Sequence, residues 1–96
     1  MTEKELIESM AHKNGKRKIN CKLREELAEL SLSLARLDYA VVANEGPISI
    51  IENMHEEFVD VEIMMIQMKT LLNQEVYEQK KEEKLEHIKQ LLNADV

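Results

Sequence analysis

Tryptophan is missing from this sequence, and cysteine and proline occur once each. The lone Cys21 has no partner for an intramolecular disulfide. Two glycines and three aromatic rings, Tyr39, Phe58 and Tyr77, leave little of the turn and strand chemistry that a sheet protein needs. What remains is rich in Leu, Glu, Lys, Met and Ala, which favour helix, so the expected fold class is all-α. No N-terminal stretch has the apolar centre of a signal peptide, and with one unpaired cysteine the expected home is a reducing cytoplasm. No apolar run approaches the roughly 20 residues that span a bilayer. Residues 61–68 come closest and read as a buried helix segment, so no membrane partner is expected.

Positive charge is also in deficit. A net charge of −6 disfavours general nucleic-acid binding, which works by neutralising phosphates with Lys and Arg. The local exception is "HKNGKRK", where Lys13, Lys16, Arg17 and Lys18 cluster. It reads as a solvated basic turn, with a phosphate-facing role as the alternative.

At 96 residues the chain is a single small domain, and a domain of that size buries only about 60–65% of its unfolded surface. Association with further copies is the expected remedy. "MTEKELIESM" carries a capping box, Thr2 followed three residues later by Glu5, ahead of a short apolar stripe at Leu6, Ile7 and Met10. Asn14-Gly15 then marks a turn, so residues 1–18 read as a short helix and a basic turn, and residues 19–92 as the core helices. Leu23, Leu27, Leu30, Leu34, Leu37 and Val41 step by 4, 3, 4, 3 and 4, which predicts one long amphipathic helix over residues 19–43. Gly46 and Pro47 break the pattern. A third helix is expected over residues 48–72, apolar on more than one face through Val61, Ile63, Met64, Met65, Ile66 and Met68, and therefore covered on more than one side. A last helix over residues 75–92 aligns Leu85, Ile88 and Leu92, with dense charge on its other face. The expected whole is a bundle of three to four helices completed by oligomerisation.

Two acidic pairs sit beside the apolar stripes. Glu26 and Glu29 lie among Leu23, Leu27 and Leu30, and Glu57 and Asp60 lie among Phe58, Val61 and Met64. Residues three apart on a helix are neighbours, about 5–6 Å apart at Cβ. Antiparallel packing of the second and third helices through those stripes would bring four carboxylates into one cleft. Such a set repels itself unless a cation sits between its members. Magnesium, a hard ion that takes oxygen ligands and shares its coordination with phosphates, is the expected cofactor, with manganese a possible substitute. Spacing alone does not single these residues out, since Glu83 and Glu86 have the same spacing on a charged helix face.

"EELAEL" followed by "EEFVDVEIMM" resembles the MazG-like group of all-α nucleoside triphosphate pyrophosphohydrolases, which is marked by a Glu-x-x-Glu pair and a later Glu-x-x-Asp pair on consecutive helices. The resemblance continues into "KKEEKLEHIKQLL", similar to the Lys-Leu-Glu-Arg ending of phage-type members, and covers roughly residues 19–92. It implies a cytoplasmic dimer or tetramer of helical bundles. It implies magnesium held by Glu26, Glu29, Glu57 and Asp60, and hydrolysis of a ribo- or deoxyribonucleoside triphosphate between its α and β phosphates, giving a monophosphate and pyrophosphate. Glu26 or Glu29 would activate the water, and Lys84, Lys80 and Lys18 are the candidate phosphate contacts. The chain departs from the pattern at His87, where many similar sequences have arginine, and in "KINCKL", where many have a glutamine-containing lead-in. Base recognition does not carry over.

Two other classes compete. Glu52 and His55 form a single Glu-x-x-His, of which a di-iron bundle needs two per site. The methionine run at Met64, Met65 and Met68 suits a helical adaptor, since methionine adapts to irregular partner surfaces.

Overall fold

A computed structural model describes the backbone over residues 1–43 and 48–94 and the side chains over residues 1–39 and 48–94. Four helices make up these residues: α1 (Glu3–Asn14), α2 (Lys16–Ala43), α3 (Ile48–Thr70) and α4 (Gln74–Ala94). The all-α expectation is met, with each expected helix present and its limits moved by up to three residues. The expected break at Gly46 and Pro47, and the side chain of Val41, lie outside the described residues.

The Thr2 hydroxyl accepts the Glu5 backbone N–H at 3.1 Å and donates to Glu5 Oε1 at 2.9 Å, so the capping pair forms as the sequence predicts. Gly15 is the whole connection between α1 and α2. Its N–H closes α1 on the Ala11 carbonyl at 2.9 Å, and its own carbonyl opens α2 by accepting from Ile19 N at 3.1 Å. The change of direction needs φ 81°, a region that glycine enters without the penalty of a Cβ. The basic turn therefore shrinks to one residue, and Lys16, Arg17 and Lys18 become the first turn of α2.

α2 packs along α3, and α1 lies across both. The fully packed core is small: Ile7, Ala11, Ile19 and Val61 are its buried apolar residues. Polar residues complete it. Asn14 Nδ2 donates to Gln67 Oε1 at 3.1 Å, pinning the end of α1 to α3, and Ser33 Oγ donates to Asn53 Oδ1 at 3.0 Å between α2 and α3. Ser33 is only 1% exposed, so Ser33→Ala strands the Asn53 oxygen. The expected loss is about 1 kcal/mol, or about 4–8 °C in melting temperature for a domain this small. A melt indistinguishable from the parent would show that water replaces the hydroxyl.

The leucine stripe on α2 is divided rather than buried whole. The row facing α3 is Ile19, Glu26 and Ser33, flanked by half-buried Leu23, Leu30 and Leu37, while Leu27 and Leu34 are turned outward. Leu23, Leu27 and Leu30 line an open groove of about 630 Å³ together with Phe58, Val61 and Met65 of α3. Tyr77 lines it too.

α4 leaves this body through an elbow. Gln74 Nε2 donates to the Lys69 and Leu72 carbonyls, both at 2.8 Å, Asn73 Oδ1 accepts Val76 N at 3.1 Å, and Lys69 Nζ lies 4.6 Å from the Tyr77 ring centroid. Beyond it α4 has no buried residue. The Cα radius of gyration is accordingly 17.1 Å, against about 12–13 Å for a compact chain of this length. No described helix is long and apolar enough to cross a membrane.

Candidate metal centre

Glu26 projects from α2 into the seam with α3 and is 7% exposed. It is there because it occupies the same row as Ile19 and Ser33, seven residues away on either side, and two helical turns return a side chain to nearly the same face. Glu57 and Asp60 come to meet it from α3 because three residues separate them on one face. Glu26, Glu57 and Asp60 each place one carboxylate oxygen within 4.8 Å of the other two. The set runs from depth to surface: Glu26 is buried, Glu57 half-buried and Asp60 exposed. One end of the cluster is closed by helix packing and the other opens to solvent.

The inner oxygens are unpartnered. Glu26 Oε2 and Glu57 Oε2 are both buried with no hydrogen-bond donor in reach. Buried carboxylate oxygens without donors are costly, and a hard cation is the partner that satisfies several at once. All the donors are oxygens, and one side of the set remains open, which suits magnesium better than a soft metal.

The fourth predicted residue, Glu29, stands beside Glu57 rather than among the three converging oxygens. Glu57 is held above its ordinary value of 4.5, first by burial, then by the charge of Glu29 and a hydrogen bond with it, with smaller contributions from Asp60 and Glu26. A carboxyl group whose folded-state pKa is raised contributes stability that is fully present below pH about 4.5 and lost as pH rises through the raised value. In metal-free buffer, Glu57→Gln should match the parent at pH 4 and outlast it increasingly towards pH 8. Thermal melts across that range check the sign, and a stability difference independent of pH would contradict it.

A cation absent from the sequence-based site completes the arrangement. Lys22 Nζ lies 3.3 Å from Glu26 Oε1 and 3.8 Å from Glu25 Oε2. Its pKa is raised by its hydrogen bond to Glu26, by that carboxylate's charge and by Glu25. Lys22 thus partners Glu26 Oε1, while Oε2 has no hydrogen-bond partner. Its i,i+4 spacing to Glu26 was the available signal. Lys18, one turn earlier, lines a separate shallow pocket with Lys22, Cys21 and Met64 on the side of the body where α1 packs.

Comparison with protein-family models, curated proteins and solved structures returns no match. The site therefore has to be read from its own chemistry. Two predicted phosphate contacts are not brought to the acids within one chain: Lys80 and Lys84 lie on exposed α4, where Lys80 Nζ is 3.5 Å from Glu83 Oε2. His87 is exposed there too. Glu52 and His55 stand outside the acidic cluster, and His55 Nδ1 is 2.8 Å from the Ile51 carbonyl of its own helix.

Proposed function

We propose that this chain is a magnesium-dependent nucleotide pyrophosphohydrolase of the MazG-like kind, acting in the cytoplasm as a homo-oligomer. The observation that carries the proposal is the convergence of Glu26, Glu57 and Asp60 with two buried oxygens left unpartnered, on the residues that the motif resemblance selects. Glu26, Glu57 and Asp60 would hold the ion. Bound there, magnesium would neutralise charge on the phosphates and lower the cost of breaking the α–β anhydride.

The chain's own residues do the remaining work. Glu26 is buried in the seam between α2 and α3 and paired through Oε1 with Lys22. Asp60 at the open end leaves room for phosphate oxygens to approach. Glu29, beside Glu57 but outside the three converging oxygens, would accept one proton from the attacking water. Water adds its oxygen to phosphorus, pyrophosphate leaves, and the proton on Glu29 passes to solvent.

Pyrophosphate release from a panel of ribo-, deoxyribo- and oxidised nucleoside triphosphates, with magnesium and with chelator, tests the reading. Turnover that requires the metal is expected for at least one member. Silence across the panel from folded protein would favour the adaptor reading, for which the open apolar groove of α2 and α3 is the supporting observation.

A further inference from the structure

The chain carries two unsatisfied apolar surfaces. One is the groove between α2 and α3, which follows α3 from Phe58 to Lys69, about 16 Å at helical rise, and ends at Leu72 and Tyr77. The other is the stripe on α4, where Leu85, Ile88, Leu91 and Leu92 are 51–66% exposed over about 10 Å. Exposed patches of this kind on a small chain mark interaction sites.

We propose that the groove is occupied by α4 of a second copy, with the exchange made reciprocally about a two-fold axis. The elbow argues against α4 folding back into its own groove. Gln74 bonds two carbonyls of the α3 end, Asn73 caps α4, and Lys69 sits over Tyr77, so reversing the helix would break all of these contacts. Charge argues for α4 as the occupant. Glu62 and Lys69 are the charged residues that line the groove, and Lys69 is engaged by the Tyr77 ring, which leaves Glu62 without an ion pair among the described residues. On α4, Lys81 and Lys84 lie one turn before Leu85 and Ile88 on the apolar side, which Glu78 and Glu82 flank beside Lys81 and Leu85, while Glu83 and Glu86 line a polar face with Gln79 and His87. A helix entering the groove by its leucines therefore brings Lys81 and Lys84 towards Glu62 and keeps Glu83 and Glu86 in water. Reciprocal exchange of one element is a low-cost route to a closed dimer.

The exchange rests on the association of copies in the proposed function and is independent of the chemistry. In a Cys21→Ser background, one chain carries Met65→Cys and a second carries Leu85→Cys, Ile88→Cys or Leu92→Cys, all at exposed positions. Equal mixtures under mild oxidation should give a disulfide-linked heterodimer for at least one α4 position, and Ile88→Asp with Leu92→Asp should shift sedimentation to the monomer without loss of helix content. A monomeric parent at all concentrations overturns both the exchange and the oligomer. Links only between two Met65→Cys grooves, no link from any α4 position in a dimer, or an intrachain link in the chain carrying both Met65→Cys and Ile88→Cys overturns the exchange alone. Metal-dependent pyrophosphate release, measured in parallel, reports separately on the proposed reaction.

Discussion

Asp60→Ala, assayed with magnesium, is expected to release pyrophosphate at least about a hundredfold more slowly than the parent, because removing one oxygen ligand opens the set of three and loosens the ion. Asp60 is the member for which a folding defect is least able to mimic this result. It lies at the exposed end of the cluster and supports no helix packing. Its removal also relieves repulsion on Glu57, so the metal-free variant should melt no lower than the parent. Asp60→Asn, which keeps the shape and removes the charge, should fall on the side of the alanine variant. Turnover within threefold of the parent for both variants would remove Asp60 from the chemistry and with it the three-ligand centre.

Glu26→Leu should do two opposite things. In chelator, the leucine variant should be more stable than the parent by on the order of 1–3 kcal/mol, because a buried carboxylate with an unpartnered oxygen gives way to an apolar side chain in a row already occupied by Ile19. The lost ion pair to Lys22 offsets little of this, since Lys22 is more than half exposed and such pairs contribute about 0–1 kcal/mol. Each kcal/mol is worth about 4–8 °C in a domain of this size. In magnesium the order should reverse or close. The parent gains about 2.7 kcal/mol when the ion stands at a hundred times its dissociation constant, and the variant gains none. Paired melts in chelator and in millimolar magnesium measure both arms. A leucine variant less stable than the parent in chelator would make Glu26 a packing residue that Lys22 sustains.

Much of this arrangement was legible in the sequence where local chemistry decides the structure. Thr2 and Glu5 marked the start of α1, Asn14-Gly15 its end, and the spacing of the leucines gave α2. The two acidic pairs were legible as helix neighbours, and three of their four members converge. What the spacing could not show was which side of α2 meets α3. Periodicity marks an apolar side, but Leu27 and Leu34 belong to that side and are still exposed, Leu27 on the open groove. The row that turns inward contains Glu26 and Ser33, neither of which an apolar pattern would select. Lys22 was missed for a related reason: its role is set by Glu26 being buried, which is a tertiary fact. Lys80 and Lys84 were assigned by resemblance, and their distance from the acids follows from an elbow fixed by Asn73 and Gln74 side chains, on which the hydrophobic pattern is silent.

The seven-residue interval from Ile19 to Glu26 and again to Ser33 makes the length of α2 a quantity that insertions and deletions cannot alter freely. Adding one residue between Ile19 and Glu26 turns every later side chain by about 100° relative to Gly15 and α1. The carboxylate would then leave the seam, or α1 would be dragged off α3 along with the Asn14 to Gln67 bond. Adding seven residues restores the face to within about 20° but carries α1 about 10 Å along α2, away from Gln67. Chains descended from a common ancestor with this one should therefore keep the stretch from Gly15 to position 26 free of gaps, and single-residue gaps there should coincide with loss of the acid at position 26.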